Sequence, residues 1–456
     1  MDNGNINEKL LKIAQTAIRQ GYFKQPMDLQ NLIDAEEYLK KEVKNNKQIK
    51  EVERREIDTS LFKPITSAEL IEILGMTIKR DAENKLVTFL CELSAFTEDS
   101  QFNISFNAPS STGKSYIPTE IAKLFPPADV LEIGYCSPSA FYHEQGSYDK
   151  ETNTIKVDLS RKIIIFLDQP NNVLLTRLRS LLSHDKKEIQ SKITDKSQRG
   201  GNKTKTVIIR GYPSVIFCSA GLRIDEQEGT RFILLSPETN QEKIREAIQS
   251  KIERETDSNA YKSWLDKDPR RMLLKDRIEA IRNEEIDNIK ISAPELIEKF
   301  FLEGKKVLQP RHQRDIGRLI ALIKTFALLN LWFREQADEK TILANENDVV
   351  DAMAVWEVIS ESQEYNLPPY IFNLYKEVIC PAWQEKNNNE NTKIGISRKD
   401  IIKKHYDVYG RMIEDWRLRL QIIPMLDTAG LIVQEQDLVD KRKMLITPVA
   451  FFNQKQ

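Results

Sequence analysis

An α/β fold around a five-stranded parallel sheet is predicted by three observations. Five short apolar runs recur over residues 102–106, 130–135, 162–167, 214–219 and 231–235. The stretches between them include segments with apolar residues at helical spacing, as over 116–124. The first run leads straight into a tight polar loop, Asn107-Ala-Pro-Ser-Ser-Thr-Gly-Lys-Ser115, that opens the following helix. Apolar strands separated by helices indicate a parallel sheet covered on both faces. Residues 102–106 alternate apolar and polar, and predict a strand with one buried face.

The loop is the organising stretch. A strand, a turn ending in Gly-Lys-Ser and a helix describe a phosphate-binding loop. Ala108, Pro109, Ser110, Ser111, Thr112, Gly113, Lys114 and Ser115 form its wall. Backbone N–H groups there converge on one concavity and bind phosphate oxygens. Lys114 is placed for the β- and γ-phosphates of ATP, and the Ser115 hydroxyl for Mg²⁺. Ala108 stands where such loops usually have a glycine, which is tolerated if its φ stays negative.

Four more positions extend this chemistry. Asp168 ends the apolar run 162–167, at the carboxyl edge where ligands of parallel sheets bind, and is placed to hold the Mg²⁺ shell opposite Ser115. Gln169 follows where ATPases of this type usually carry Glu. An amide orients water but accepts no proton near neutral pH, so hydrolysis is slow or differently assisted, or the amide is a trap for bound ATP. Ser219 either touches the γ-phosphate or its water, or is simply a strand-end serine. Arg231, in Glu228-Gly-Thr-Arg-Phe232, is placed to reach a neighbouring subunit's γ-phosphate.

The chain has 456 residues, enough for two or three domains, and Lys+Arg (68) nearly balance Asp+Glu (69). Any nucleic-acid surface is therefore a local patch. The four cysteines are far apart and three lie in apolar runs, which suits buried thiols of a soluble, cytoplasmic protein rather than a zinc framework. No membrane partner is expected, since no stretch approaches 18 uninterrupted apolar residues.

Residues 1–65 read as a charged helical segment, a site for a replication partner. Thr66-Ser-Ala-Glu69 is a capping box before a short helix that Gly75 stops, and 84–96 reads as an amphipathic helix. The nucleotide-binding core is expected over 66–240. Linker helices and a helical lid are expected over 241–365, including a helical block over 309–361. Within the core, Lys192, Lys196, Arg199, Lys203 and Lys205 lie on a basic hairpin turning at Gly200-Gly-Asn202, suited to DNA phosphates. Arg311 opens the helical block, where it can contact nucleotide from the lid; His312 reads as a surface residue. Residues 366–456 give helix, helix, then two strands, the order of a winged helix, with Trp416 read as core and Arg417 and Arg419 as DNA contacts.

With the loop, Asp168, Ser219, Arg231 and Arg311 in this order, the chain resembles an AAA+ ATPase, and within that class the minichromosome-maintenance (MCM) helicases and their bacterial or mobile-element relatives. Thr230-Arg231-Phe232 resembles the family's Ser-Arg-Phe arginine finger. Pro310-Arg311 with Arg318-Leu319 resembles its sensor-2 helix, and Asn347-Asp-Val-Val-Asp-Ala352 the helix that closes its lid. The basic hairpin occupies the place of the family's DNA-translocating hairpin. The resemblance covers about residues 66–456 and implies a homo-oligomer, a hexameric ring, that moves along single-stranded or forked DNA during replication. Residues 1–65 cannot supply the family's strand-rich, zinc-bearing domain. An ATP-gated DNA-binding scaffold or loader, hydrolysing little, is the alternative.

Overall fold

Alternate residues of the central strands enter two different apolar cores, and this fixes the sheet. The computed structural model describes residues 57–137, 139–142, 146–149, 152–195, 203–220, 231–303, 307–388, 394–438 and 440–451. The expected helices before residue 57 lie outside them.

Helix α1 (Ser67–Gly75) begins with both arms of the predicted capping box: Glu69 N–H donates to Thr66 Oγ, and Thr66 N–H to the Glu69 carboxylate. Helix α2 (Ala82–Ser94) is buried at every residue from Lys85 to Ser94, so it is a core helix rather than the amphipathic one its sequence suggests. Strand β1 (Ile104–Asn107) leads through the polar loop into α3 (Tyr116–Ala122) and β2 (Val130–Ile133). Two strands absent from the sequence reading follow, β3 (Ser147–Asp149) and β4 (Thr154–Asp158). Then come β5 (Ile163–Phe166), α4 (Asn172–Leu182), β6 (Glu188–Asp195), β7 (Lys203–Arg210), β8 (Ser214–Ser219) and β9 (Ile233–Leu235).

The central sheet has the order β2-β5-β8-β1-β9, all parallel. Ile163 and Ile165 of β5 and Ile216 and Cys218 of β8 enter the core shared with α2. Ile164 and Phe166, with Val215 and Phe217, enter the core shared with α4. In β1 only Ile104 and Phe106 are apolar, yet the whole strand is buried. The expectation of one exposed face there is wrong because its polar residues are satisfied inside. Asn103, just before the strand, donates to the Leu182 carbonyl (3.0 Å) and accepts from Val215 N–H (2.9 Å), and Ser105 Oγ donates to Asn107 Oδ1 (2.7 Å). The outer edge of β9 is closed by a side chain: Gln363 accepts from Leu234 N–H (3.1 Å) and donates to Leu234 O (2.8 Å).

A second sheet, β3-β4-β7-β6, carries the basic hairpin, β6 antiparallel to β7 and β4 parallel to β7. Beyond β9, the charge-rich helices α5 (Gln241–Thr256), α6 (Ser258–Lys267) and α7 (Pro269–Asn283) precede β10 (Asn288–Ile291) and α8 (Pro294–Glu298). The expected helical block is two helices, α9 (His312–Leu329) and α10 (Glu346–Glu364), split by β11 (Gln336–Asp338) and β12 (Thr341–Ala344). Those strands form a third sheet with β10. Helix α10 starts at a capping box of Asn345 and Asp348, and the buried Asp348 carboxylate also takes a two-point ion pair from Arg334 (2.6 and 2.7 Å). His312 is buried rather than exposed, because its Nδ1 accepts from Gln309 N–H (3.0 Å) at the start of α9.

The last segment has its own apolar core. It runs through α11 (Pro369–Leu374), α12 (Cys380–Asn387), α13 (Arg398–Tyr409), α14 (Asp415–Arg417) and α15 (Ile423–Thr428) to the antiparallel pair β13 (Ile432–Gln436) and β14 (Met444–Pro448). Trp416 is not a core residue: it is 46 % exposed, with the Arg417 guanidinium 5.6 Å from its ring. Among the described residues no helix is long and apolar enough to cross a membrane.

Glu92 of α2 is fully buried, and neither of its oxygens has a hydrogen-bond partner among the described residues. Burial, reinforced by the Glu132 carboxylate, pushes its carboxyl well above the usual range. The folded chain therefore keeps a proton that the unfolded chain releases near pH ~4.3. The associated stability is fully present below that pH and is lost as pH rises toward the raised folded value. Glu92→Gln should leave the melting temperature near pH 4.5 unchanged and raise it by a few degrees at neutral pH and above. Parallel melting profiles of the two proteins across this range would refute the assignment.

Candidate phosphate-binding site

The carboxyl ends of β1, β8 and β5 lie side by side, and each presents a polar group. Asn107 pairs with Ser219 across β1 and β8, and Phe166 with Phe217 across β5 and β8. That register puts the loop from Ala108, then Ser219, then Asp168 and Gln169 along one edge. Ala108 N–H donates to Ser219 O (3.3 Å), which ties the loop's first residue to β8.

The loop turns through two left-handed residues, Ser111 (φ +66°) and Gly113 (φ +89°). No atom would obstruct a Cβ at Gly113, so its backbone angle, not space, calls for glycine. Among the described residues, no protein group accepts from the six consecutive N–H groups of Ser110 to Ser115. Six unpartnered backbone donors in one tight turn are suited to an anion. Its frame is held by Thr112 Oγ donating to Pro109 O (2.9 Å) and by Tyr116 and Ile117 N–H donating to Gly113 O (3.0 and 3.2 Å). Pro118 falls in the first turn of α3, where its missing N–H would have no helical partner anyway.

Lys114 and Ser115 are half-buried. Beneath them Cys218 Sγ lies 3.3 Å from Lys114 O, its thiol pushed up to about 12 by burial, with Lys114 and Asp168 acting on it in opposite directions. Asp168 is exposed, one carboxylate oxygen accepting from Gln169 N–H (2.8 Å). Ser115 caps no backbone group. Among the described residues no cluster of three or more His, Cys, Asp or Glu is placed to hold a metal ion. Mg²⁺ needs no such cage, since one carboxylate and a hydroxyl with phosphate oxygens and water satisfy it. Ser115 and Asp168 fit that role.

Ser219 Oγ donates to Gln169 Oε1 (2.8 Å). With its carbonyl so engaged, the Gln169 amide presents N–H donors outward, and these can orient a water only by donating to its oxygen. Beside the loop lies a cleft of about 440 Å³, walled by Ile78, Tyr116, Ile117, Ile244 and Ile248 and rimmed by cations that include Arg254. Tyr116 is fixed there by its hydroxyl, which donates to Thr77 O (3.0 Å). Sequence reading missed this wall, because α5 joins the loop only through tertiary contact.

Arg231 is at the other end of the sheet. It precedes Ile233, which pairs with Ile104, so it stands level with residue 102. Six residues of strand, roughly 20 Å, separate that level from Ala108. Arg231 Nε donates to Ser183 Oγ (2.7 Å) in a second cavity of about 410 Å³ that Arg314 and Arg318 of α9 also line. Arg311 does not line it. Its guanidinium donates to Asp315 (2.9 Å), which also holds Arg318 (2.8 Å), in a buried triad. Arg314, exposed beside Arg231, is the cation that sequence reading passed over.

On the hairpin, Lys192 pairs with Thr206 and Lys205 with Ile193, which places the two lysines on opposite faces. Lys205 Nζ sits 6.0 Å from the ring of half-exposed Tyr148 on β3, an aromatic that the sequence reading did not select. The backbone of Lys203 pairs with Asp195; Lys196 and Arg199 lie outside the described residues. The chain matches no protein-family model and no curated protein.

The outward amide at position 169 generates a kinetic expectation. Glu in its place would accept a proton from an attacking water, so Gln169→Glu should raise ATP turnover at least tenfold in a coupled phosphate-release assay. Unchanged turnover would show that position 169 does not limit hydrolysis.

Proposed function

We propose that this chain is an AAA+-type ATPase that acts on DNA, of the MCM-like helicase or translocase kind, in replication of a bacterium or mobile element. The observation that carries this reading is the loop of six unpartnered N–H groups set in register with Ser219 and Asp168 at the carboxyl edge of a parallel sheet. ATP·Mg²⁺ would sit with its phosphates on Ala108 to Ser115, Lys114 on the β- and γ-phosphates, and Ser115 and Asp168 on the metal. The adjacent apolar cleft suits the base.

The trans arrangement is supported by distance. Arg231 cannot serve the loop of its own chain, and Arg314 accompanies it in the far cavity. Both would approach the nucleotide of a neighbouring copy, as a closed head-to-tail ring such as a hexamer requires. In this reading Arg311 positions α9 through Asp315 rather than touching nucleotide, and α5 to α10 supply the lid. The C-terminal segment, with two helical stretches and a strand pair, is compatible with a winged helix that adds a DNA contact. The hairpin carrying Lys192 and Lys205 would bind backbone phosphates, with Tyr148 available to stack on a base. Gln169 favours the second reading, a nucleotide-gated scaffold or loader that binds DNA and recruits a partner with little turnover.

Two experiments test these assignments. Lys114→Ala should abolish Mg·ATP binding, and Arg231→Ala should keep binding but lose at least a hundredfold in turnover; mixing the two variants should restore part of the activity. No restoration, or an Arg231→Ala protein as active as wild type, would refute the shared site. Separately, replacing Lys192 and Lys205 by Ala should weaken single-stranded DNA binding and lower its salt slope by about 1 to 2 without altering ATP affinity. Undiminished DNA affinity would move the DNA contact to the C-terminal segment, and an absence of ATP-driven strand separation would favour the scaffold.

A further inference from the structure

We propose that Arg411, contributed by the C-terminal segment, is a ligand of the nucleotide phosphates in the cleft beside the loop, so that nucleotide binding fastens this segment to the sheet-bearing core. The proposal rests on the nucleotide reading above and adds to it a residue from a different part of the fold.

Four observations carry it. First, Arg411 lines the same cleft as Ser111, Thr112 and Gly113 of the loop. Second, its backbone is clamped from both sides. Helix α13 ends at Gly410 in the left-handed region (φ +68°), which turns the chain toward α5. There Gln241 Nε2 donates to Tyr409 O (3.0 Å), and His405 Nδ1 lies 2.8 Å from Arg411 O. The backbone that carries the side chain is therefore held in place beside the cleft.

Third, the cleft has a surplus of positive charge. Lys79, Lys243, Lys251, Arg254 and Arg411 line it against Asp81 and Glu238. Asp81 is committed to Lys243 and, like Glu238, to the other's backbone N–H (2.8 and 2.9 Å). Arg411 has no carboxylate within ion-pair distance among the described residues. An arginine lining the same cleft as unpartnered N–H donors is suited to an anion, and a polyphosphate can satisfy both. Fourth, the segment is tied to the loop strand itself. Ser236 Oγ donates to Asn107 O (2.6 Å) and accepts from Tyr370 N–H (3.0 Å), joining the end of β1 to the start of α11. Occupancy of the loop can therefore be felt at two points of the C-terminal segment.

The test uses the full chain with Mg·ATP, Mg·ADP and adenosine. Arg411→Ala should weaken ATP and ADP binding about tenfold and leave adenosine binding unchanged, whereas Arg411→Lys should recover most of the loss. In wild type, Mg·ATP should slow amide hydrogen exchange over 398–411; in Arg411→Ala it should not. Equal ATP affinity of wild type and Arg411→Ala, with the same slowing of exchange, would overturn the proposal while leaving the nucleotide reading intact. So would a loss shared by both variants together with a fallen melting temperature, since that is a packing effect. A wild-type protein that binds no Mg·ATP would remove the nucleotide reading, and Arg411's role with it.

Discussion

The site depends on the parallel sheet being buried on both faces. Because β5 and β8 send alternate side chains into two separate cores, a slip of one residue would exchange those cores and bury the wrong set. Register is therefore held tightly, and with it the alignment of Asn107, Ser219 and Asp168 at one edge. Beyond the buried Ala108 and Pro109 the loop is polar, and its ends are set by the paired strands. Gln363 extends this control to β9, where a side-chain amide takes the place of a sixth strand.

Much of this was legible in the sequence, and for identifiable reasons. The loop, its flanking strand and helix, and Asp168 announce themselves through local chemistry: Gly-Lys-Ser for the turn, and a carboxylate ending an apolar run. The cap at Thr66 is equally local, a side chain three residues from its partner. What escaped depends on distant partners. The polar residues of β1 read as a solvent face because nothing nearby in sequence tells that Asn103 is satisfied by Leu182 and Val215. Strands β3 and β4 are short; β4 is held by pairing with β7, some 50 residues later, and β3 in turn by β4. His312 and Trp416 were each assigned the wrong environment: Phe301 packs against the buried His312, whereas Trp416 is left 46 % exposed.

The site's cations divide in the same way. Arg231 follows from the Thr-Arg-Phe motif, but Arg311, the residue singled out at the helix start, is neutralised by Asp315, whereas Arg314, one turn on, faces the cavity. Residues 311, 315 and 318 form the ion-paired cluster, of which Arg318 also borders the cavity lined by Arg314 and Gly317. A motif read as a string cannot tell which of these arginines an acid will pair. The fold makes that choice by pairing Arg311 with Asp315 and leaving Arg314 exposed.

Position 169 bears on whether such a protein is a motor or a switch. A translocating ring needs hydrolysis to be faster than dissociation from its track, and that calls for a base able to accept a proton from water. Here Ser219 holds the Gln169 carbonyl, so the amide can order a water without deprotonating it. In the proposed reading the remaining contributions, from the loop amides, Lys114 and a neighbour's arginines, would stabilise charge on the transferred phosphoryl group, which in phosphoryl transfer supplies most of the acceleration. Hydrolysis by this arrangement would therefore be slowed rather than abolished. A slow cycle in which bound ATP holds two copies together for a long interval would favour assembly over stepping, and it would give weight to a contact, such as the one proposed for Arg411, that registers occupancy rather than turnover.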